Sequence, residues 1–549
     1  MHFKTWDDIA PPPNAAEQKL KAAAEAGEFC ELGPHDQIPE GPEDWHNLTE
    51  AQESRHIRAE VLRLILLNRD SCNISEKGVM MAGAYISGCL DLTNCTIPGN
   101  LLLNGCRFQD EMFAPRSKWA SNLRLRTCGV PALRASGANI RGQLTCEGAN
   151  FNSPKGEAIN LQGAKVKDGL FLRSATLNGS VDLNGIKIGG QLDCEGAKFN
   201  TPKGKAINLQ GAEVKRDLFL RSATLDGSVD LNGIKIGGQL TCNCAKFNTP
   251  DGMALNLQDA EIIGGLFLRA LAKIDGSLDL IDAKTSTLVD DAQCWPAVGK
   301  LHLDGFTYDR INGPTDAKTR LDWLAKGDRW NGEFFPQPYK QLAKTLHDMG
   351  HESDAQQVRI MLARKLRQDA RAKLHITPDG DLGTGLHSIW RDICRLTLGA
   401  KDSVSLVLTA HGYKPQRSLY ALILLIAAAT FPAQRAWDAG SFAPNSAPIL
   451  LSESWQALAR DGSIPNPAAE WAKHNAIPGE DWESFHPLAY AADVVIPIVE
   501  FGQTDAWAPS TERGTWGYRL WWLRWVFTTA GWIVTALGAA ALTGIIRRD

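Results

Sequence analysis

The sequence contains no CxxC pair, and its 12 cysteines are scattered, with none between Ala433 and Asp549. That spacing excludes a zinc or iron–sulfur framework, and unpaired thiols suit a reducing compartment. Charge of neither sign is in excess. The 58 basic and 62 acidic residues leave a formal net charge of −4, too little for a global attraction to nucleic acid or anionic lipid. No apolar run follows the amino terminus, where residues 1–13 read MHFKTWDDIAPPP, so no secretory leader is expected. There is no Walker A sequence. The nearest approach to a dinucleotide fingerprint, Gly380-x-x-Gly383-x-Gly385, has the wrong spacing and no strand before it. His347-x-x-x-His351 lacks the glutamate that a hydrolytic zinc helix carries after its first histidine; Asp348 stands there, and Gly350 breaks the helix. No catalytic residue, cofactor or metal site is assigned from these residues, and the reading leans away from an enzyme.

What the chain has is a repeat. AINLQGAKVKDGLFLRSATLNGSVDLNGIKIGGQLDCEGAKFNTPKGK begins at Ala158 and recurs almost unchanged at Ala206, 48 residues on; a decaying third copy starts at Ala254. Within a unit, apolar pairs two residues apart recur at steps of five and six, such as Ile159/Leu161, Ala164/Val166, Leu170/Leu172 and Ala175/Leu177. Residues i and i+2 of an extended strand face the same way, so each pair reads as one short inward-facing strand. Small polar residues and glycine between the pairs supply corners. The expected fold is mainly β: a right-handed, four-sided parallel β-solenoid of about 22 residues per coil.

Two coils account for 44 of the 48 residues, and the other four form a loop in Asn152-Ser-Pro154-Lys-Gly156 and its copies at Asn200 and Asn248. Its Pro and Gly predict a type I turn. Gln162, Asn184, Gln210, Asn232 and Gln258 fall in one column, predicting an amide ladder. Cys146, Cys194 and Cys242 are two coils apart, about 9.6 Å at a strand spacing of about 4.8 Å, beyond disulfide reach. They read as core. The pattern runs from Val79 to about Leu303, nine or ten coils. A helix at 50–68, N-capped by Thr49, is expected to cover the first coil, and two helices broken at Gly350 are expected within 336–373.

Long apolar runs lie only near the carboxyl end. Trp525–Ile546 is 22 residues without a charge, closed by Arg547 and Arg548, which suffices to cross a bilayer. Ser418–Ala433 is shorter and makes the partner span. Trp516, Tyr518, Trp521, Trp522 and Trp525 read as an interfacial belt. A large amino-terminal region without an export signal stays in the cytoplasm, so both termini are expected there. The predicted organisation is a helical cap (1–77), the solenoid (78–308), a helical adaptor (309–400) and a membrane domain (401–549), with spans at about 418–434 and 520–546 around an outer loop, 435–517.

The alternating small and large inward pairs resemble a relaxed pentapeptide-repeat solenoid. Over nearly its full length the chain also resembles bacterial inner-membrane proteins that carry the label membrane-associated oxidoreductase. The matching segments are LHLDGFTYDRI (301–311), FPQPYKQLAKTLHDMGHESDA (335–355), AYAADVVIPIVEFGQTDAW (489–507) and the Trp-rich last span. The label implies a redox activity with an unidentified cofactor, but no catalytic motif accompanies it. Haem held by two histidines would need them in the spans. Neither predicted span contains one, and His411 and His486 lie just outside.

The solenoid exterior carries the candidate site. In each LFLR sequence the middle aromatic points outward, so Phe171, Phe219 and Phe267 stack on alternate coils, followed by Arg173, Arg221 and Arg269. Exposed aromatics with arginine are typical interface anchors, and a protein partner on this face is expected. The 24 basic and 22 acidic residues of 78–308 argue against a nucleic-acid groove. The reading is thus a scaffold or sensor on the lipid bilayer, compatible with an oligomer. A third reading, a small channel or signal-transducing module, rests on Asp493 and Glu500 in the apolar stretch 488–499, which either dips into the membrane or lies at its surface.

Overall fold

In a computed structural model the described residues run from 3 to 373 and from 413 to 543, with 404 and 407–409, and without 43, 46, 68–71, 271, 331, 474–476 and 497. Gly380, Gly383, Gly385, His411, Arg547 and Arg548 lie outside the described residues, as does most of the expected adaptor beyond residue 373. The chain forms two compact units, residues 1–362 and 363–549.

The first unit is a parallel β-solenoid of about ten turns. Its register gives the coil length directly. Lys165 pairs with Lys187, Lys187 with Glu213, Glu213 with Lys235 and Lys235 with Glu261, so steps of 22 and 26 residues alternate. The expected inward pairs form its core: Leu170, Leu172, Ala175, Leu177, Val181 and Leu183 are all fully buried, with Cys146, Cys194 and Cys242 among them.

The four surplus residues do not form a turn. They lie within one continuous strand, Asn150–Asn160, where Asn152 pairs with Asn178, Glu157 with Ser180 and Ile159 with Val181, so Ala158 is a single-residue bulge and residues 153–156 stand opposite Gly179 alone. Gly179 makes this bulge feasible. Its φ is +137°, and a Cβ there would sit 2.4 Å from the Ser153 carbonyl oxygen; Gly227 repeats the arrangement against Thr201.

The amide ladder also sits elsewhere. Among the described residues, the expected column forms one such bond, Asn184 Nδ2 to Gln210 Oε1 at 3.4 Å. The working ladders are two residues upstream and on the bulge. Asp182 Oδ1 accepts from Asn208 Nδ2 (3.1 Å) and from the Asn184 backbone N–H (3.0 Å), and Asn178 links Asn152 to Asn200. Asp182 and Asp230 each close their own corner and bond to the next coil.

Both ends of the stack are covered, which matters because an open parallel edge invites pairing with another chain. At the first end the expected single helix is three elements. Thr49 caps a short helix, Glu50–Glu53, as expected, but His56–Arg58 then pairs with Tyr85–Ser87 before the helix Ala59–Leu66 begins. The buried Glu17 carboxylate holds Arg58 extended, accepting its backbone N–H at 3.0 Å and its guanidinium at 2.6 Å. Glu17 itself lies in the helix Ala15–Ala26, capped by Asn14.

At the far end, the helix Gln337–Asp348 lies on the last strand, Thr307–Asn312. Gln341 Nε2 and Thr345 Oγ1 donate to the Tyr308 carbonyl at 2.7 and 2.9 Å, and Gln337 Nε2 donates to that of Phe306 at 3.2 Å. As expected, the following helix, Glu352–Lys373, starts after Gly350 at φ +86°. Beneath this cover is a buried ion pair. Arg320 donates two hydrogen bonds to Asp290, at 2.8 and 2.6 Å, and a third to the Pro314 carbonyl at 2.6 Å. Its guanidinium lies 5.6 Å from the Trp295 ring and 5.4 Å from that of Trp323.

The second unit contains two helices long and apolar enough to cross a membrane, Gln416–Asp438 and Gly514–Leu542. Both overrun the apolar run that suggested them, because the helix continues through the flanking Arg435 and through Trp516–Arg519. The region between them folds on an aromatic core of Phe442, Trp455, Trp471, Tyr490 and Trp507. Trp437 stacks on Phe485 with centroids 4.2 Å apart, and a short antiparallel pair, Phe442–Pro444 with Trp507–Pro509, joins its two ends.

Candidate partner-binding face of the solenoid

Parallel register places one residue per coil in each outward column. The column through the aromatics reads Arg124, Thr145, Phe171, Asp193, Phe219, Thr241, Phe267. The expected stacking on alternate coils is therefore present. Two residues further along the chain from each of these stand Arg126, Glu147, Arg173, Glu195, Arg221, Asn243 and Arg269.

The rings are half-buried, and each is covered on one side by the arginine two residues on. Guanidinium-to-centroid distances are 5.6 Å for Arg173 over Phe171, 4.4 Å for Arg221 over Phe219 and 5.7 Å for Arg269 over Phe267. Such contacts contribute about 0.5–1 kcal/mol at an exposed site and hold the arginine in place. The acids of the intervening coils divide the three arginines. Arg173 donates to the buried Asp193 carboxylate at 2.7 and 2.6 Å, which raises its already high pKa, and lies 3.8 Å from Glu147. Arg221 is 3.8 Å from Glu195, and its Nε is buried without a hydrogen-bond partner. Arg269 has no carboxylate within 4.0 Å among the described residues. Among the described residues these three arginines thus grade from a neutralised cation to one with no carboxylate partner.

Sequence reasoning missed one basic member of this column. Leu123-Arg-Leu-Arg126 has the same L-x-L-R spacing as LFLR, and its strand sits in the same column, so Arg124 occupies the phenylalanine slot. With Gln143, Thr145, Glu147 and Phe171, Arg124 and Arg126 line a surface cleft of about 220 Å³. Spacing alone would have found it, had the search not required an aromatic.

The other sequence candidates go elsewhere. Cys146 and Cys242 are held at a pKa of about 12 by burial, and Cys194 is displaced in the same direction, as befits core thiols. His347 pairs with Glu352 across the Gly350 corner. Asp493 accepts the backbone N–H groups of Phe501, Gln503 (2.7 Å) and Thr504 (3.1 Å), while Glu500 is exposed. No group of three or more His, Cys, Asp or Glu arranged to hold a metal ion is present among the described residues. No family model matches the chain, and no curated protein matches it.

Proposed function

We propose that this chain is a membrane-anchored, non-catalytic scaffold or sensor whose solenoid, wound right-handed with four sides per coil, presents a rigid face to a protein partner. The observation that carries this reading is the column of Phe171, Phe219 and Phe267, each with an arginine laid across it, on a frame whose register leaves no slack. A partner engages the free ring edges and supplies carboxylates to Arg124, Arg126 and Arg269. The two apolar helices anchor the chain in the bacterial inner membrane, and both termini face the cytoplasm.

The test is binding of an isolated partner by full-length protein in mild detergent, compared with Phe219→Ala/Arg221→Ala. Truncating interface anchors of this type costs at least about 2 kcal/mol, about thirty-fold in Kd. Undiminished binding by the folded double variant refutes the face.

A further inference from the structure

The apolar stretch 488–499 has a definite place in the second unit. The helix Pro487–Val495 packs along both apolar helices, and Ala491 and Val495 are buried with Ala429, Leu422, Leu425, Ile426 and Phe527. Thr528 Oγ1 donates to the Val494 carbonyl at 3.0 Å. At Gly531 the approach is closer still: a Cβ would lie 1.8 Å from the Val495 carbonyl oxygen. Gly531 is six residues beyond Trp525, so this contact lies about 9 Å further along the helix at 1.5 Å per residue.

Beyond Val495 the chain turns back, and its tip is apolar and uncovered. Ile498 is 76% exposed, Phe501 50% and Val499 44%. The turn is fastened by the side chains of Asp493 and the buried Gln503. Besides the three N–H groups that Asp493 accepts, the buried Gln503 accepts the His486 N–H at 2.8 Å and donates to the Ser484 carbonyl at 2.9 Å, closing the neck. Irregular backbone enters hydrocarbon only where its polar groups are met within the protein. Asp493 meets three of them, and those bonds also compensate its own charge. Glu500 is the one charge at the tip, and it keeps the insertion shallow, since its carboxylate has to remain within reach of the headgroups.

From this geometry we infer that the described residues 487–496 and 498–503 form a half-inserted hairpin that seats Ile498, Val499 and Phe501 among the acyl chains of one phospholipid leaflet, beside the two spans. The helix that carries the tip packs on those two helices through Ala491 and Val495, and the helices themselves expose apolar side chains: Leu424, Val526 and Trp532 are 69%, 61% and 57% exposed. The inference rests on the reading that the two helices span the bilayer. It gives Asp493 an anchoring role in place of an ion path.

The full-length chain is reconstituted into phosphatidylcholine vesicles containing phosphatidylglycerol and a trace of phospholipid with a photoactivatable carbene precursor, placed near the acyl carboxyl in one preparation and at the terminal methyl in another. Labelled peptides are mapped by mass spectrometry. The expected result is labelling of 487–503 by the shallow probe at the level of the spans, with much less from the terminal-methyl probe. Labelled spans with 487–503 no more labelled than the 461–473 segment would overturn the hairpin while leaving the anchor intact, whether water or a second copy covers the tip. Unlabelled spans would remove the bilayer reading, and the hairpin with it.

Discussion

Arg320→Met tests how the solenoid is closed at its carboxyl end. The arginine is fully buried and gives two hydrogen bonds to Asp290, whose side chain is 3% exposed. Asp290 has a further donor, Trp295 Nε1 at 2.8 Å. Without Arg320 the carboxylate is left buried with that single indole N–H, and breaking a buried pair in this way costs about 3–5 kcal/mol. Replacing both members, Arg320→Met with Asp290→Leu, removes the uncompensated charge and leaves chiefly the indole donor unmet, about 1–3 kcal/mol. The double variant is therefore expected to be more stable than either single. Amide hydrogen exchange of the full-length chain, read on the strands Lys284–Asp290 and Thr307–Asn312, separates the cases. At about 1.4 kcal/mol per decade, Arg320→Met accelerates exchange there by about two to four decades. Lys187–Ile188, in mid-stack, is the internal reference and stays unchanged. Unchanged exchange in the single variant, or a double variant as damaged as the two singles summed, would refute the assignment.

Four further outcomes are expected. Gly227→Ala forces a side chain into φ +137° against the Thr201 carbonyl, and strain of that kind costs about 1–3 kcal/mol, measurable as a lowered Tm. Deleting residues 158–205 removes one 48-residue unit and rejoins Glu157 to another AIN sequence, so the shortened chain keeps its circular dichroism and cooperative melt; deleting 22 residues puts bulged strands in adjacent coils and loses both. Native protein treated with a maleimide at pH 8 is modified at the exposed Cys89 and Cys244 and not at Cys146 or Cys242, whose burial holds the thiol protonated with a pKa of about 12; modification of Cys146 in folded protein would contradict the core placement. The ultraviolet–visible spectrum of purified full-length protein is expected to show no flavin or haem band, and a stoichiometric chromophore would replace the scaffold reading with the redox one.

The coil was legible because strand parity is local: Leu170/Leu172 and Ala175/Leu177 announce their facing without reference to anything distant. The same parity placed Phe171, Phe219 and Phe267 in one column. What escaped was set by partners far along the chain. His56–Arg58 was read as helix because its strand partner, Tyr85–Ser87, is 29 residues away. The column of Gln162 and Asn184 looks like the ladder from spacing alone, whereas it is Asp182, two residues before Asn184, that bonds to the next coil while closing its own corner. Nothing local marks Arg320 and Asp290, 30 residues apart, as a buried pair rather than two solvated charges. Arg124 escaped for a different reason: its slot is marked by the L-x-L-R spacing and not by a ring.

Covered at both ends, the solenoid is a sealed column. Among the described residues its covered ends leave little edge for another sheet to pair with, so a partner of the kind proposed would have to engage the flank. Nor can it be lengthened at its tips without undoing the Glu17–Arg58 clasp or the Gln337–Asp348 cover. It grows or shrinks only from within, by whole pairs of layers of about 9.6 Å. A partner that grips two successive aromatic rungs therefore measures one fixed interval, and adding a unit adds a rung without respacing the others.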